Sequence, residues 1–217
     1  MSDRGHPIAD RLQWYWHRLR AMSLGEVLRH GRRRWRVLVD ERRRWDWGNV
    51  SIGRGGSFPR LASPKLAPVG LREILAQDAE EIRKGHWRAF GHLKLKVEVP
   101  PRWHCDYLAG QDLATGLPSS RLEYRRLPGG ADIKLIWELS RWTQLTRLAM
   151  AAYVLEDRVA AERCEQCLWD WLDHNPPHRG WNWTSALEGG MRLVQLTWID
   201  GLRSEEHTSE LQSPNTI

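Results

Sequence analysis

Between Asp132 and Leu202, apolar residues recur three and four positions apart, and Asn175-Pro176-Pro177 interrupts the run. That period gathers the apolar groups along one side of a helix, while a proline pushes the residue before it out of the helical region. The pattern predicts helices over Asp132 to Leu155, over Val159 to Asp173, and from near Ser185 to Leu202. In the first, Ile133, Ile136, Trp137, Leu145, Leu148, Ala149 and Ala152 form the stripe. In the second it is Cys164, Cys167, Leu168, Trp171 and Leu172. Helices joined by short turns return antiparallel, so the expected fold class is mainly α, built from antiparallel helix pairs behind an irregular, loop-rich lead-in.

The lead-in has its own signals. Arg11 to Arg20 and Ser23 to Arg44 read as helices. In the second, Ser23 with Glu26 makes a capping box, and Leu24, Val27, Leu28, Trp35, Leu38 and Val39 keep helical spacing. The arginine clusters at 32–34 and 42–44 fall on the opposite face, as a solvated face would. Gly, Ser and Pro crowd the stretch from Gly48 to Val69, which reads as a linker, and a helix is expected over Leu71 to Lys84. Lys94 to Val99 alternates like a strand and ends at Pro100-Pro101. From there to Gly130 the expectation is loop, with Trp103, His104, Asp106 and Tyr107 close together.

Composition narrows the partners. Fourteen Trp stand against two Phe, and 33 basic residues against 27 acidic ones give a net charge of +6. Indoles stack on sugar rings as well as filling cores, and arginine forks match carboxylates and sulfates. A uronate glycan, a nucleic acid and a membrane surface all fit such a chain. Three cysteines in 217 residues do not make a disulfide framework. Met1 to Asp10 lacks the apolar core of a secretory signal, which reads as cytoplasmic, and no run of 18 apolar residues suggests a membrane span.

Arg203 to Ser213 reads RSEEHTSELQS. The string resembles the direct translation of a sequencing-library adapter. Residues 203–217 are therefore expected to be a non-native tail without functional information. Without them the chain carries 32 basic and 24 acidic residues, or +8. The expected organisation is 1–47 helical lead-in, 48–70 linker, 71–202 partial helical domain, and 203–217 tail.

Two constellations stand out. Lys134, Glu138, Arg141 and Trp142 lie three or four apart and would share one helical face, where an ordinary Lys–Glu pair is the plain alternative. Gly180-Trp181-Asn182-Trp183-Thr184-Ser185-Ala186-Leu187-Glu188, followed by Arg192, places two indoles and an amide before a helix start. Such a start attracts anions. Ser185 with Glu188 reads as a second capping box, and Glu188 with Arg192 as an i,i+4 pair. Cys164-x-x-Cys167 reads as two small core residues; no metal site and no cofactor are expected.

Three blocks carry a family likeness: PPRWHCDYLAGQ at 100–111, DIKLIWELSRWTQLTRLAMAAY at 132–153, and NPPHRGWNWTSALEGGMRLVQLTW at 175–198. The span Pro100 to Trp198 resembles the N-terminal domain of heparinase II/III-type polysaccharide lyases, and MSLGEVLRHGRRR at 22–34 more weakly resembles their lead-in. The resemblance implies an incomplete (α/α) toroid whose cleft holds an acidic, uronate-containing polysaccharide such as heparan sulfate or alginate. It implies a partner as well: the rest of the toroid and a β-sandwich domain. Complete members cleave by β-elimination, and family members are often exported. An Asn in an NNH-like motif, a Tyr and a His do the chemistry there. Those motifs do not occur before Leu202, so no catalytic residue is expected in this chain and Asn182 does not take that role. Lys134, Trp137, Arg141, Asn182, Trp183, Glu188 and Arg192 are the expected substrate-binding residues. Nucleic acid is not expected as a partner on this reading.

Two rival functions stay open at this stage. A glycoside hydrolase on the same helical scaffold would need opposed carboxylates, for which Asp132 and Glu138 are the candidates. A basic nucleic-acid or membrane-surface module would use Arg29 to Arg44.

Overall fold

The computed structural model describes residues 13, 16–18, 20–43 and 61–211, with side chains as far as Arg203. The chain divides into two compact units, 1–44 and 45–217.

The first unit is described mainly by helix α1, Leu24–Arg42. The Ser23 side chain accepts from the Glu26 N–H at 3.3 Å and the Ser23 N–H donates to Glu26 Oε2 at 2.8 Å, the capping box that the sequence predicts. Of the helix expected over Arg11 to Arg20, residues 13, 16–18 and 20 are described and helical; the others lie outside the described residues, as does most of the linker, 48–60.

The second unit begins with a short 3₁₀ turn, Pro64–Leu66, and helix α2, Val69–Arg83, which buries Leu75, Ala79 and Ile82 at helical spacing. A hairpin follows. Strand β1, His86–Ala89, pairs antiparallel with β2, Leu93–Lys96, setting Trp87 opposite Leu95. The sequence signals the second strand but not the first. Gly85 enters it at φ +79°, and a Cβ there would come within 2.1 Å of the Val97 carbonyl oxygen, so only glycine fits. The expected loop from Pro100 to Gly130 contains a second, minimal hairpin, β3 at Cys105–Asp106 and β4 at Gln111–Asp112. Buried Asp106 pins it, accepting from the N–H groups of Leu108, Ala109 and Asp132 at 2.9, 3.1 and 2.7 Å.

The helical stripe from Asp132 to Leu155 is two helices, not one: α3, Ile133–Leu139, and α4, Thr143–Leu155. The break falls at Ser140–Trp142, where Trp142 adopts the left-handed conformation, φ 67°. This turns its indole inward, 5% exposed, edge-on to Trp171 with ring centroids 4.9 Å apart. Burial of a large aromatic outweighs the roughly 1–2 kcal/mol cost of that backbone. Helix α5, Arg158–His174, starts at Asp157, whose side chain accepts from the Ala160 N–H at 3.0 Å. Helix α6 covers Ala186–Leu211. It runs past Leu202 into the expected tail because Ser204 to Leu211 contains no glycine or proline to stop it.

The fold is mainly α. Helix α4 is its hub and packs against α2, α5 and α6. Its alanines, Ala149, Ala151 and Ala152, are no more than 2% exposed and let the neighbouring backbones close in. Cys164 and Cys167 are wholly buried in this core, as expected for small apolar residues, and burial pushes both thiols up to about 12.

Candidate functional site

The expected site residues come together from four segments: α3, the α3–α4 turn, a 3₁₀ turn at Trp181–Trp183, and α6. They form two layers.

The inner layer is polar and buried. Arg141 donates from Nε to Glu188 Oε2 at 2.7 Å and from Nη2 to Glu188 Oε1 at 2.8 Å, while its Nη1 donates to Glu138 Oε2 at 2.5 Å. Glu138 Oε1 also accepts from the Phe90 N–H at 2.8 Å. Glu188 is 1% exposed and Glu138 7%, so one guanidinium holds two buried carboxylates. The Glu188 hydrogen bonds, first among the causes, hold Arg141 above its ordinary pKa. Two expectations are corrected here. The Glu188 carboxylate turns to Arg141, 47 residues away, rather than to Arg192 one helical turn along. And Lys134, Glu138, Arg141 and Trp142 do not share one face, because α3 ends at Leu139: Lys134 is exposed, while Glu138 and Trp142 are buried.

Arg192 is therefore a buried cation outside the carboxylate clamp, only 4% exposed. Its guanidinium lies 5.0 Å from the Trp171 ring centroid and 5.1 Å from that of Trp183, and Nη2 donates to the Asn182 carbonyl at 2.8 Å. Burial lowers its pKa to about 10, partly opposed by Glu188. Each indole face offers a desolvated guanidinium about 2 kcal/mol, which offsets part of the burial cost. Asn182 is fully buried; its Nδ2 donates to Asn175 Oδ1 at 2.8 Å and to the Trp103 carbonyl at 3.2 Å. Both amide hydrogens are thus in use. Two buried polar atoms in this layer, Arg192 Nη1 and Asn182 Oδ1, have no protein partner.

The outer layer is aromatic. Trp137 and Trp183 are half-buried, and each has its N–H fixed: Trp137 Nε1 donates to the Trp181 carbonyl at 3.0 Å, Trp183 Nε1 to the Asn175 carbonyl at 3.3 Å. Tyr124 leans on Trp137 with centroids 5.6 Å apart. Lys134 is exposed one turn before Trp137. Trp171 and Asn175, which hold this layer from beneath, went unmarked in the sequence as site residues. Trp171 reads there as stripe and Asn175 as a helix stop, and no local pattern announces their partners.

Asp132 caps α3, accepting from the Lys134 N–H at 2.9 Å, and Glu138 is held by Arg141 and Phe90. Both hydrolase candidates are thus engaged in structure. A cavity of about 380 Å³ lies beyond Glu138, lined among others by Asp78, His86, Arg88, Gln144 and Arg147. A second, about 390 Å³, is lined by Arg102, His104, Asp112, Asp170 and His174.

No family model, curated protein or solved structure matches the chain.

Proposed function

We propose that this chain forms part of the substrate cleft of a polysaccharide lyase that acts by β-elimination on an acidic, uronate-containing polysaccharide. The observation that carries the reading is the pair of partly exposed indoles, Trp137 and Trp183, tied to one short turn and fixed by their own N–H groups. A fixed indole presents a flat apolar face to a sugar ring at little entropic cost. Lys134 adds an exposed cation one turn before Trp137, suited to a uronate carboxylate.

The inner layer then acts as support. Arg192 sits against Trp183 and fixes its tilt, and the Arg141–Glu188–Glu138 clamp ties α6 to the α3–α4 turn. Of the seven expected contact residues, Lys134, Trp137 and Trp183 are the ones to touch glycan, and Asn182, Glu188 and Arg192 position them. Arg141 keeps 22% of its side chain exposed and belongs to both layers.

β-Elimination requires neutralising the uronate carboxylate, removing the C5 proton and protonating the leaving oxygen. Asn182 does not serve the first step, since its amide hydrogens are already bonded to Asn175 and Trp103. The chain is expected to bind glycan without cutting it. An (α/α) toroid arrangement belongs to the same proposal, supported by the packing of α2, α5 and α6 around α4.

The test is affinity electrophoresis of the purified chain through gels containing heparan sulfate, alginate or neutral dextran. Retardation in an acidic glycan, lost in Trp183→Ala and Trp137→Ala, is the expected result. Equal mobility in all three gels overturns the binding reading. Ultraviolet absorbance of newly formed unsaturated uronate would overturn the assignment of no catalysis.

A further inference from the structure

The first unit holds a surface that the glycan reading does not use. No residue of α1 is buried, although it carries Leu24, Val27, Leu28, Trp35, Leu38 and Val39. Leu24 is 84% exposed, Leu28 73% and Trp35 64%. At 3.6 residues per turn these six side chains fall in one sector about 120° wide, with Trp35 near its middle. Arg32 lies just beyond one edge of the sector and Arg34 just beyond the other, while exposed Arg42, in the last turn, falls inside it. Of the two arginine clusters, only Arg33 among the described residues is therefore on the opposite face of the helix. Arg29, Arg33 and Arg36 occupy the far side with the acidic Glu26 and Asp40. Basic residues outnumber acidic ones six to three over Leu24–Arg42.

We propose that α1 lies flat in the surface of an anionic lipid bilayer, with Leu24, Leu28, Trp35 and Leu38 in the acyl boundary and its arginines among the headgroups. Charge and shape select this occupant together. An aromatic-centred apolar face bordered on both edges by arginine is the pattern of an interfacial helix, since long cationic side chains reach up to phosphates while their stems stay with the lipid. A nucleic acid would use the arginines but leave six apolar side chains in water. Among the described residues no helix is long and apolar enough to cross a bilayer.

The experiment is flotation of the full chain with phosphatidylcholine vesicles and with vesicles containing one-quarter phosphatidylglycerol. The vesicle-bound fraction is expected to be at least about tenfold larger with the anionic lipid. It should fall by about tenfold or more in Leu28→Glu with Leu38→Glu. It should fall again in Arg33→Glu with Arg36→Glu. Leu28→Gln with Leu38→Gln, which preserves helix propensity, must give the same loss, and circular dichroism checks that α1 persists. Absence of flotation, equal flotation on both lipids, or full binding by the leucine variants would each overturn the proposal. Retention on heparin resin without vesicle binding would assign the arginines to a soluble polyanion instead. None of these outcomes depends on Trp137 or Trp183.

Discussion

Arg141 grips Glu188 with two hydrogen bonds, 2.7 and 2.8 Å, closing α6 onto the turn between α3 and α4 across 47 residues of sequence. Glu138 completes the clamp from the other side. Removing the guanidinium would leave two buried carboxylates without their cation, a defect that ordinarily costs about 3–5 kcal/mol. Arg141→Ala is therefore expected to unfold at much lower urea than the parent. Glu188→Gln should cost less, because Arg141 keeps Glu138. Urea titration followed by circular dichroism measures both. An Arg141→Ala chain as stable as its parent would mean the clamp is solvated and the arginine free for substrate.

Arg192 is predicted to behave in the opposite way. Its charge is buried between Trp171 and Trp183 without a bonded carboxylate, and burial has already lowered its pKa to about 10. Replacing such a cation by an apolar chain of similar length often costs nothing. Arg192→Met should keep stability within about 1.5 kcal/mol of the parent. Retardation in acidic glycan gels should nonetheless weaken, as Trp183 loses its support, whereas Arg192→Lys should restore part of it. Loss of folding in Arg192→Met would place the residue with Arg141 as structural.

How much of this arrangement was readable follows from the range of the interactions. The α1 capping box and the α5 stripe with its buried cysteines are local, and residue spacing reports them. The break at Trp142 is not local: a tryptophan takes a left-handed backbone because Trp171, 29 residues on, supplies the surface it packs against. The same holds for Glu188, whose nearest basic neighbour in sequence is Arg192 while its partner in space is Arg141. Residues 175–192 could be marked as a site from their indoles and charges. Their division into a contact layer and a supporting layer depends on burial, which spacing does not encode.

His104 makes stability pH-dependent. Burial, the leading cause, lowers its pKa to about 4 from an unfolded value near 6.5. The folded state thus prefers the neutral ring. Its contribution is fully present above pH 6.5 and is lost progressively as pH falls from 6.5 toward 4, with a slope of up to about 1.4 kcal/mol per pH unit. Gly180 packs close to the ring; a Cβ there would lie 3.0 Å from His104 Cε1. Urea midpoints at pH 7, 6 and 5 should fall for the parent and fall less for His104→Gln. Parallel pH profiles would show that the ring is solvated.

Glu156 closes α4 in the left-handed conformation, φ 56°, and is exposed. Glycine occupies that position without a Cβ penalty. Relief of about 1–2 kcal/mol of backbone cost, offset by the extra freedom of glycine in the unfolded chain, leaves a net gain of about 0.5–1 kcal/mol for Glu156→Gly. In a chain of this size the midpoint of thermal unfolding should rise by roughly 1–4 °C. A lower midpoint would place Glu156 in an interaction stronger than its backbone strain.

Helix α6 buries Glu188, Arg192, Ile199 and Leu202 on one side, yet Leu187 and Val194, two turns apart on another, are 68% and 54% exposed. An array of helix pairs that continued would cover such a face with its next helix. An uncovered apolar face in water instead favours self-association. Leu187→Gln with Val194→Gln removes apolar surface that is mostly open to solvent. The urea midpoint should stay within about 0.5 kcal/mol of the parent, since surface changes of this kind rarely matter more. Light scattering at rising protein concentration should fall relative to the parent. If the glutamines instead cost several kcal/mol with scattering unchanged, the two residues are part of the core, and α6 has a covered outer face.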